Sequence, residues 1–204
     1  MTLTLGMPST RPSGQHHGDL RNALLAAALD LVAERGAQGF TLAETSRRAG
    51  VSVAAPYKHF ADKDALLAEL ARLGYEQQHT RFAAAMAGSD DPAEQLAAFA
   101  AAYVQFASDS RALFEITFAG GLDKAAYPDL ALAGDRVLAL LREPAARLAP
   151  DPDEALDLVL AVGATAHGFA AFLAEGVFGD PTSSLESAKR RARAAALRLV
   201  VSDA

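Results

Sequence analysis

The chain has no cysteine among its 204 residues. That excludes a disulfide framework and thiolate metal sites, and an intracellular protein fits best. Strand patterning is also missing: no stretch alternates apolar and polar residues, and no period marks a repeat. Arg, Glu or Asp is expected to interrupt every apolar run before it reaches the roughly 20 residues of a membrane span. Residues 1–18 contain no apolar core of a secretory signal and read as a flexible arm. Catalytic signatures are absent as well: there is no Gly-rich phosphate loop, no Gly-x-Ser-x-Gly elbow and no zinc motif. One lead, Glu76-Gln-Gln-His79, has the Glu-x-x-His spacing of di-iron bundles but lacks the second copy such a site needs. No enzyme, metal or cofactor is expected.

What is present is helical. The apolar residues Leu20, Ala23, Leu24, Ala27, Ala28, Leu31 and Val32 recur at i, i+3, i+4, i+7 spacing, with Asp19 as the expected helix start and Gly36 as its stop. Thr41 to Glu44 forms a capping box, so a second helix should begin at Leu42 and end at Gly50. Ser52 can cap a very short third helix, and Asp62 a fourth that carries Leu66, Leu67, Leu70 and Leu73. Further helices are expected from Pro92, over Arg111 to Phe118, over 129–148 with a kink at Pro144, from Asp151 to about Phe178, and over Leu185 to Val201. The expectation is an all-α protein of about nine helices.

Charge is divided along the chain. The formal net charge is −6, yet residues 1–74 hold eight Lys/Arg against seven Asp/Glu, and residues 75–204 hold eleven against eighteen. Only the N-terminal part is suited to face a polyanion. There, two short helices flank Ala49-Gly-Val-Ser52, the spacing of a helix-turn-helix, whose glycine supplies a positive φ. The small Ala49, Ala54 and Ala55 allow close helix approach and access to a major groove. Tyr57, Lys58 and His59 follow as donors to phosphate, with Thr41 and Lys63 at neighbouring helix starts. Pure packing, with Tyr57 and Phe60 in the core, satisfies the same spacing. Arg11, His16, His17 and Arg21 precede the unit as an arm.

These motifs resemble the N-terminal domain of the TetR/AcrR family of bacterial transcription regulators. The matching residues are Glu34-Arg-Gly36, Phe40-Thr41, Ala49-Gly-Val-Ser52, Tyr57-Lys-His-Phe60 and Asp62-Lys63-Asp64-Ala-Leu-Leu67. His16-His-Gly-Asp-Leu-Arg21 and Ala54-Ala-Pro-Tyr57 resemble the subgroup with a Trp-His-Gly signature; His167-Gly168 matches that signature, but the tryptophan is missing. Two departures stand out. Thr45-Ser46 replaces an aliphatic-Ala pair, and Pro56 replaces a leucine at the cost of at most one helical bond.

The resemblance implies a DNA-binding domain over 19–65 and a ligand-binding and dimerisation domain over 66–204. It implies phosphate contacts from Thr41, Tyr57, His59 and Lys63, with Lys58 close by. Ser52, Val53, Ala54 and Ala55 would face the groove, and Arg47 or Arg48 would read a base, read a phosphate or lie on a solvated helix surface. Phe99, Tyr103, Phe106, Phe114, Phe118, His167 and Phe172 would line the pocket of a small, mostly apolar effector. The last two helices, through Leu156, Val159, Leu160, Val162, Leu185, Leu197 and Val201 and their alanine-rich faces, would form a homodimer on palindromic double-stranded DNA. A cytoplasmic repressor is the implied function. The alternative is an all-helical carrier of apolar molecules that does not bind DNA.

Overall fold

The computed structural model describes residues 13–119 and 121–201. Among these the chain is wholly helical, with α1 (Ser13–Arg35), α2 (Leu42–Arg48), α3 (Lys63–Met86), α4 (Pro92–Asp109), α5 (Arg111–Ala119), α6 (Pro128–Leu148), α7 (Pro152–Ala174) and α8 (Pro181–Val201). Two 3₁₀ turns lie at Pro56–Lys58 and Lys124–Ala126. Among the described residues there are eight α-helices where about nine helices were expected, since the third expected helix is the first of those 3₁₀ turns. Pro56 is the physical reason. It has no N–H to return to Ser52, so the segment closes through Ala55 N to Ser52 O (2.9 Å) and His59 N to Pro56 O (2.8 Å), both one residue short of the α pattern.

Several boundaries follow their caps. The Thr41 side chain accepts the Glu44 N–H while Glu44 reaches back to the Thr41 amide, which completes the capping box of α2. Asp62, Asp91 and Asp151 accept N–H groups in the first turns of α3, α4 and α7. Helix α1 begins at Ser13 rather than Asp19, so residues 13–18 belong to a helix; no proline follows Ser13, and extending a formed helix is far easier than nucleating one. The rest of the expected arm, with Arg11, lies outside the described residues. At the other end α7 stops at Ala174, not near Phe178, because Gly176 (φ 73°) and Gly179 (φ 96°) turn the chain through left-handed conformations. Asp180 then accepts the Ser183 N–H at 3.0 Å and α8 starts four residues before Leu185.

The N-terminal unit packs α1 on α2, α3 and α5. In the C-terminal half α4 lies at the centre, against α3, α5, α6, α7 and α8. Ala188, Ala192 and Ala196, one turn apart on α8, are all within 1% of full burial. The alanine-rich face expected to pair two subunits is therefore used inside the subunit, where α8 meets α4 and α7. Val159 and Val162 are likewise core residues, at 3% and 0% exposure, and cannot serve a dimer face. The side chain of Val201 lies outside the described residues.

Helix α7 corrects one expectation from the sequence. Between Asp157 and Glu175 no charge interrupts it, and by length and composition it is apolar enough to cross a membrane. Its apolarity has a local cause. Leu158, Val159, Val162, Ala166, Ala170 and Leu173 fill the core, while Leu156, Leu160 and Phe172 lie outside it, each at least half exposed.

Candidate nucleic-acid interface

The reader is built on a short helix with two hydroxyls inside it. Thr45 and Ser46 are fully buried, and their hydroxyls donate to Thr41 O (3.2 Å) and Leu42 O (3.0 Å). This is how the polar pair replaces aliphatic side chains without leaving a polar atom unpaired. Gly50 then turns the chain at φ 69°, and the Val51 N–H closes on Ser46 O at 3.0 Å. The Pro56 3₁₀ turn places Tyr57 outward, at 62% exposure, while Pro56 and Phe60 point into the core.

Three of the expected phosphate ligands converge. Thr41, Tyr57 and Lys63 line one open cleft of about 370 Å³ together with Phe40, Leu42 and Asp62. Lys63 arches over the Phe40 ring at 5.4 Å, and its Nζ donates to Ala37 O and Gln38 Oε1, each at 3.3 Å. The Thr41 hydroxyl is held by Glu44, and that bond keeps the Glu44 carboxyl below the usual carboxylate range, helped by Arg35. Lys58, Arg47, Ser52, Val53 and Ala54 are exposed, though none of them lines this cleft.

Other expected residues fall elsewhere. Ala55 is 8% exposed and packs inward, so it does not face a groove. His59 is turned to a different cleft, of about 270 Å³, which it shares with Arg21, Glu69, Arg72 and Tyr127 at the junction of the two halves. Arg21 itself pairs with Glu69 at 2.7 Å and covers the Phe60 ring, so it braces α1 against α3. Arg48 forms a two-pronged bond to Glu34 at 2.7 Å on each arm. The pair is solvent-exposed and, with both arms engaged, ties α2 to the end of α1.

In the C-terminal half Tyr103 is the hub of an aromatic group. Its hydroxyl lies 3.0 Å from His167 Nδ1, and burial pushes its pKa far above the ordinary phenol range, keeping it protonated. Phe114 stacks on His167 at 5.5 Å and Phe118 approaches it at 4.8 Å. Phe118 also lines a cavity of about 170 Å³ with Ala71, Thr117 and Leu130. Phe99 and Phe106 differ from expectation: both are 1% exposed and pack edge-on against Phe82, as core residues. Phe172 is half exposed, with its ring edge-on to Phe178.

A short helix, a glycine turn and an exposed reader segment, mounted on an all-helical body, define a helix-turn-helix regulator. Residues 24–70 match the family model of bacterial regulatory proteins of the tetR family, and residues 96–195 match the tetracyclin repressor-like C-terminal domain. The chain belongs to the TetR family: it is a DNA-binding transcription regulator and not an enzyme. It is similar to a solved protein of unknown function from Rhodococcus sp. RHA1, at 32% identity over 92% of this chain and 98% of that one, with a TM-score of 0.75. The TetR family regulator PfmR of Thermus thermophilus shares the fold at 21% identity, with 87% and 96% of the chains covered and a TM-score of 0.63. A tetR family regulatory protein of Rhodococcus RHA1 does so at 21% identity, 89% and 96% coverage and a TM-score of 0.72. No curated protein matches the chain. A carrier that does not bind DNA is set aside by this family membership.

Proposed function

We propose that the protein is a cytoplasmic, homodimeric repressor that occupies a palindromic operator and leaves it when a small, mostly apolar effector binds. The observation that carries this reading is the convergence of Thr41, Tyr57 and Lys63 on one exposed cleft, in a chain whose family binds DNA and dimerises. Tyr57 and Lys63 hold phosphates there, Thr41 adds the first-turn amides of α2, and Lys58 and Arg47 extend the contact. Ser52, Val53 and Ala54 offer methyl and hydroxyl contacts but no bidentate fork, so discrimination leans on DNA shape.

The outer face of α7 supports the dimer. Leu156 and Leu160 are exposed one turn apart, and Gly163, on the same side of the helix, has nothing within 4 Å of where a Cβ would stand. Such an apolar strip suits close approach of its own copy; Leu185 and Leu197 of α8 are half-buried against the subunit's core. Two readers related by a dyad then address half-sites about 34 Å apart or a small multiple of that. The His167–Tyr103 pair among aromatic rings supports an effector with an apolar body and one polar group, and His167-Gly168 supports the Trp-His-Gly subgroup.

The effector must bind the released state better than the operator-bound one, or nothing shifts. The test is anisotropy of a labelled operator duplex titrated with apolar compounds already selected by thermal shift. Release by a compound that raises the melting temperature is expected. Unchanged operator binding with every compound that binds would remove the sensor half of the proposal.

A further inference from the structure

Helix α5 is shared by both halves of the molecule. Phe114 and Phe118 carry it into the aromatic group around His167, while Glu115 reaches the N-terminal unit. Glu115 Oε1 accepts the Ala37 N–H at 2.9 Å, across 78 positions of sequence. Ala37 follows Gly36, which ends α1 at φ 76° with its N–H closed on Val32 O at 2.8 Å. That single-bond ending leaves the next amide without a helix carbonyl to return to. Ala37 is 3% exposed, so its N–H needs an acceptor, and α5 provides it.

The arrangement is not one that α1 alone would favour. A carboxylate just beyond a helix C-terminus faces the negative end of the helix dipole. Gly36 is fitted to it nonetheless, because a Cβ there would stand 3.0 Å from Glu115 Oε1. On the far side of the same short turn, Lys63 holds Ala37 O and Gln38 Oε1, and Thr41 caps α2 a few residues on. The turn between α1 and α2 is thus gripped by α5 from one side and by a DNA-facing lysine from the other.

We propose that Glu115 is the positioning residue that couples sensor to reader. Its bond to Ala37 ties the α1–α2 turn to the position of α5, and a displacement of α5 that starts at Phe114 and Phe118 reaches Thr41 and Lys63 through it. This rests on the DNA face and aromatic sensor proposed above, and the coupling is a two-state bias of one turn rather than a diffuse path.

The test is a double-mutant cycle on a duplex that the wild type binds. Phe114→Ala stands in for an effector by emptying part of the aromatic group; Phe118→Ala, at a more exposed position, replaces it if the first variant does not fold. Operator affinity is measured with and without this change in wild-type, Glu115→Ala and Glu115→Gln backgrounds. The expected result is a change of at least about threefold in the wild-type and Glu115→Gln backgrounds and none in Glu115→Ala, since glutamine keeps the acceptor. Hydrogen exchange at residues 36–41 should rise by about tenfold in Glu115→Ala while α4 is unaffected. Equal effects in all three backgrounds, or no effect in the wild type, would overturn the coupling. A wild type that binds no duplex at all overturns the DNA face and the coupling with it, a result distinct from additive effects on a bound duplex.

Discussion

Ala54 and Ala55 are neighbours with identical side chains and opposite surroundings. Ala54 is exposed, whereas Ala55 is at 8% exposure behind the 3₁₀ turn. Ala55→Leu should therefore overpack the reader and lower stability by about 1–3 kcal/mol, read as a reduced melting temperature. Ala54→Leu should leave the melting temperature alone and change which duplexes are preferred. The sequence could not separate the two, because a helical continuation past Ser52 would put both near the groove, whereas the chain closes in a 3₁₀ turn at Pro56. His59 is displaced for the same reason, into the cleft beside Arg21 and Tyr127. By contrast Thr41, Tyr57 and Lys63 were readable as a group, since a capping box and an Asp-Lys helix start fix where two of them must stand. Glu115 carried no sequence signal, as its partner is a backbone amide 78 residues away.

Helices α7 and α8 show how an element's pattern can be read on the wrong face. Helix α7 carries apolar residues on both its buried and its exposed sides, and periodicity alone does not say which one meets the subunit's own core. The small-residue face of α8 is spent on α4 and α7, so Ala192→Leu should cost about 1–3 kcal/mol of stability in thermal melts. The outer face of α7 behaves in the opposite way. Leu160 is 53% exposed, so Leu160→Glu should leave the subunit's helicity intact by circular dichroism while shifting sedimentation from dimer to monomer. A dimer that survives Leu160→Glu would place the interface elsewhere. The caps of α2, α3, α4 and α7 were all legible, because each is a local pairing of an Asp or Thr with an amide two or three residues on.

In the molecule as a whole the two halves meet at a charged junction. Arg72 hydrogen-bonds Glu69, and with Arg21 beside it this holds the Glu69 carboxyl below the usual carboxylate range. Arg72 also pairs with Glu76 one turn on. Because the folded-state pKa is depressed, the contribution is present above the unfolded carboxylate pKa and is lost as pH falls through the folded one. The stability gap between wild type and Glu69→Gln should be widest at neutral pH and close on acidification, measured by denaturant melts across the acid limb. The same asymmetry that leaves residues 75–204 with eleven basic against eighteen acidic residues makes the N-terminal face the one suited to DNA. Operator affinity should accordingly fall steeply with salt, and Lys63→Ala should flatten the slope by about 1 for each phosphate that the lysine neutralises.

The most direct measurement is selection of bound sequences from a random duplex pool, run in parallel with the Tyr57→Ala, Lys63→Ala double variant. The proposed function predicts a palindrome recovered by the native protein and lost in the variant. Enrichment of the same palindrome by both proteins, or by neither from folded dimers at low salt, would contradict it.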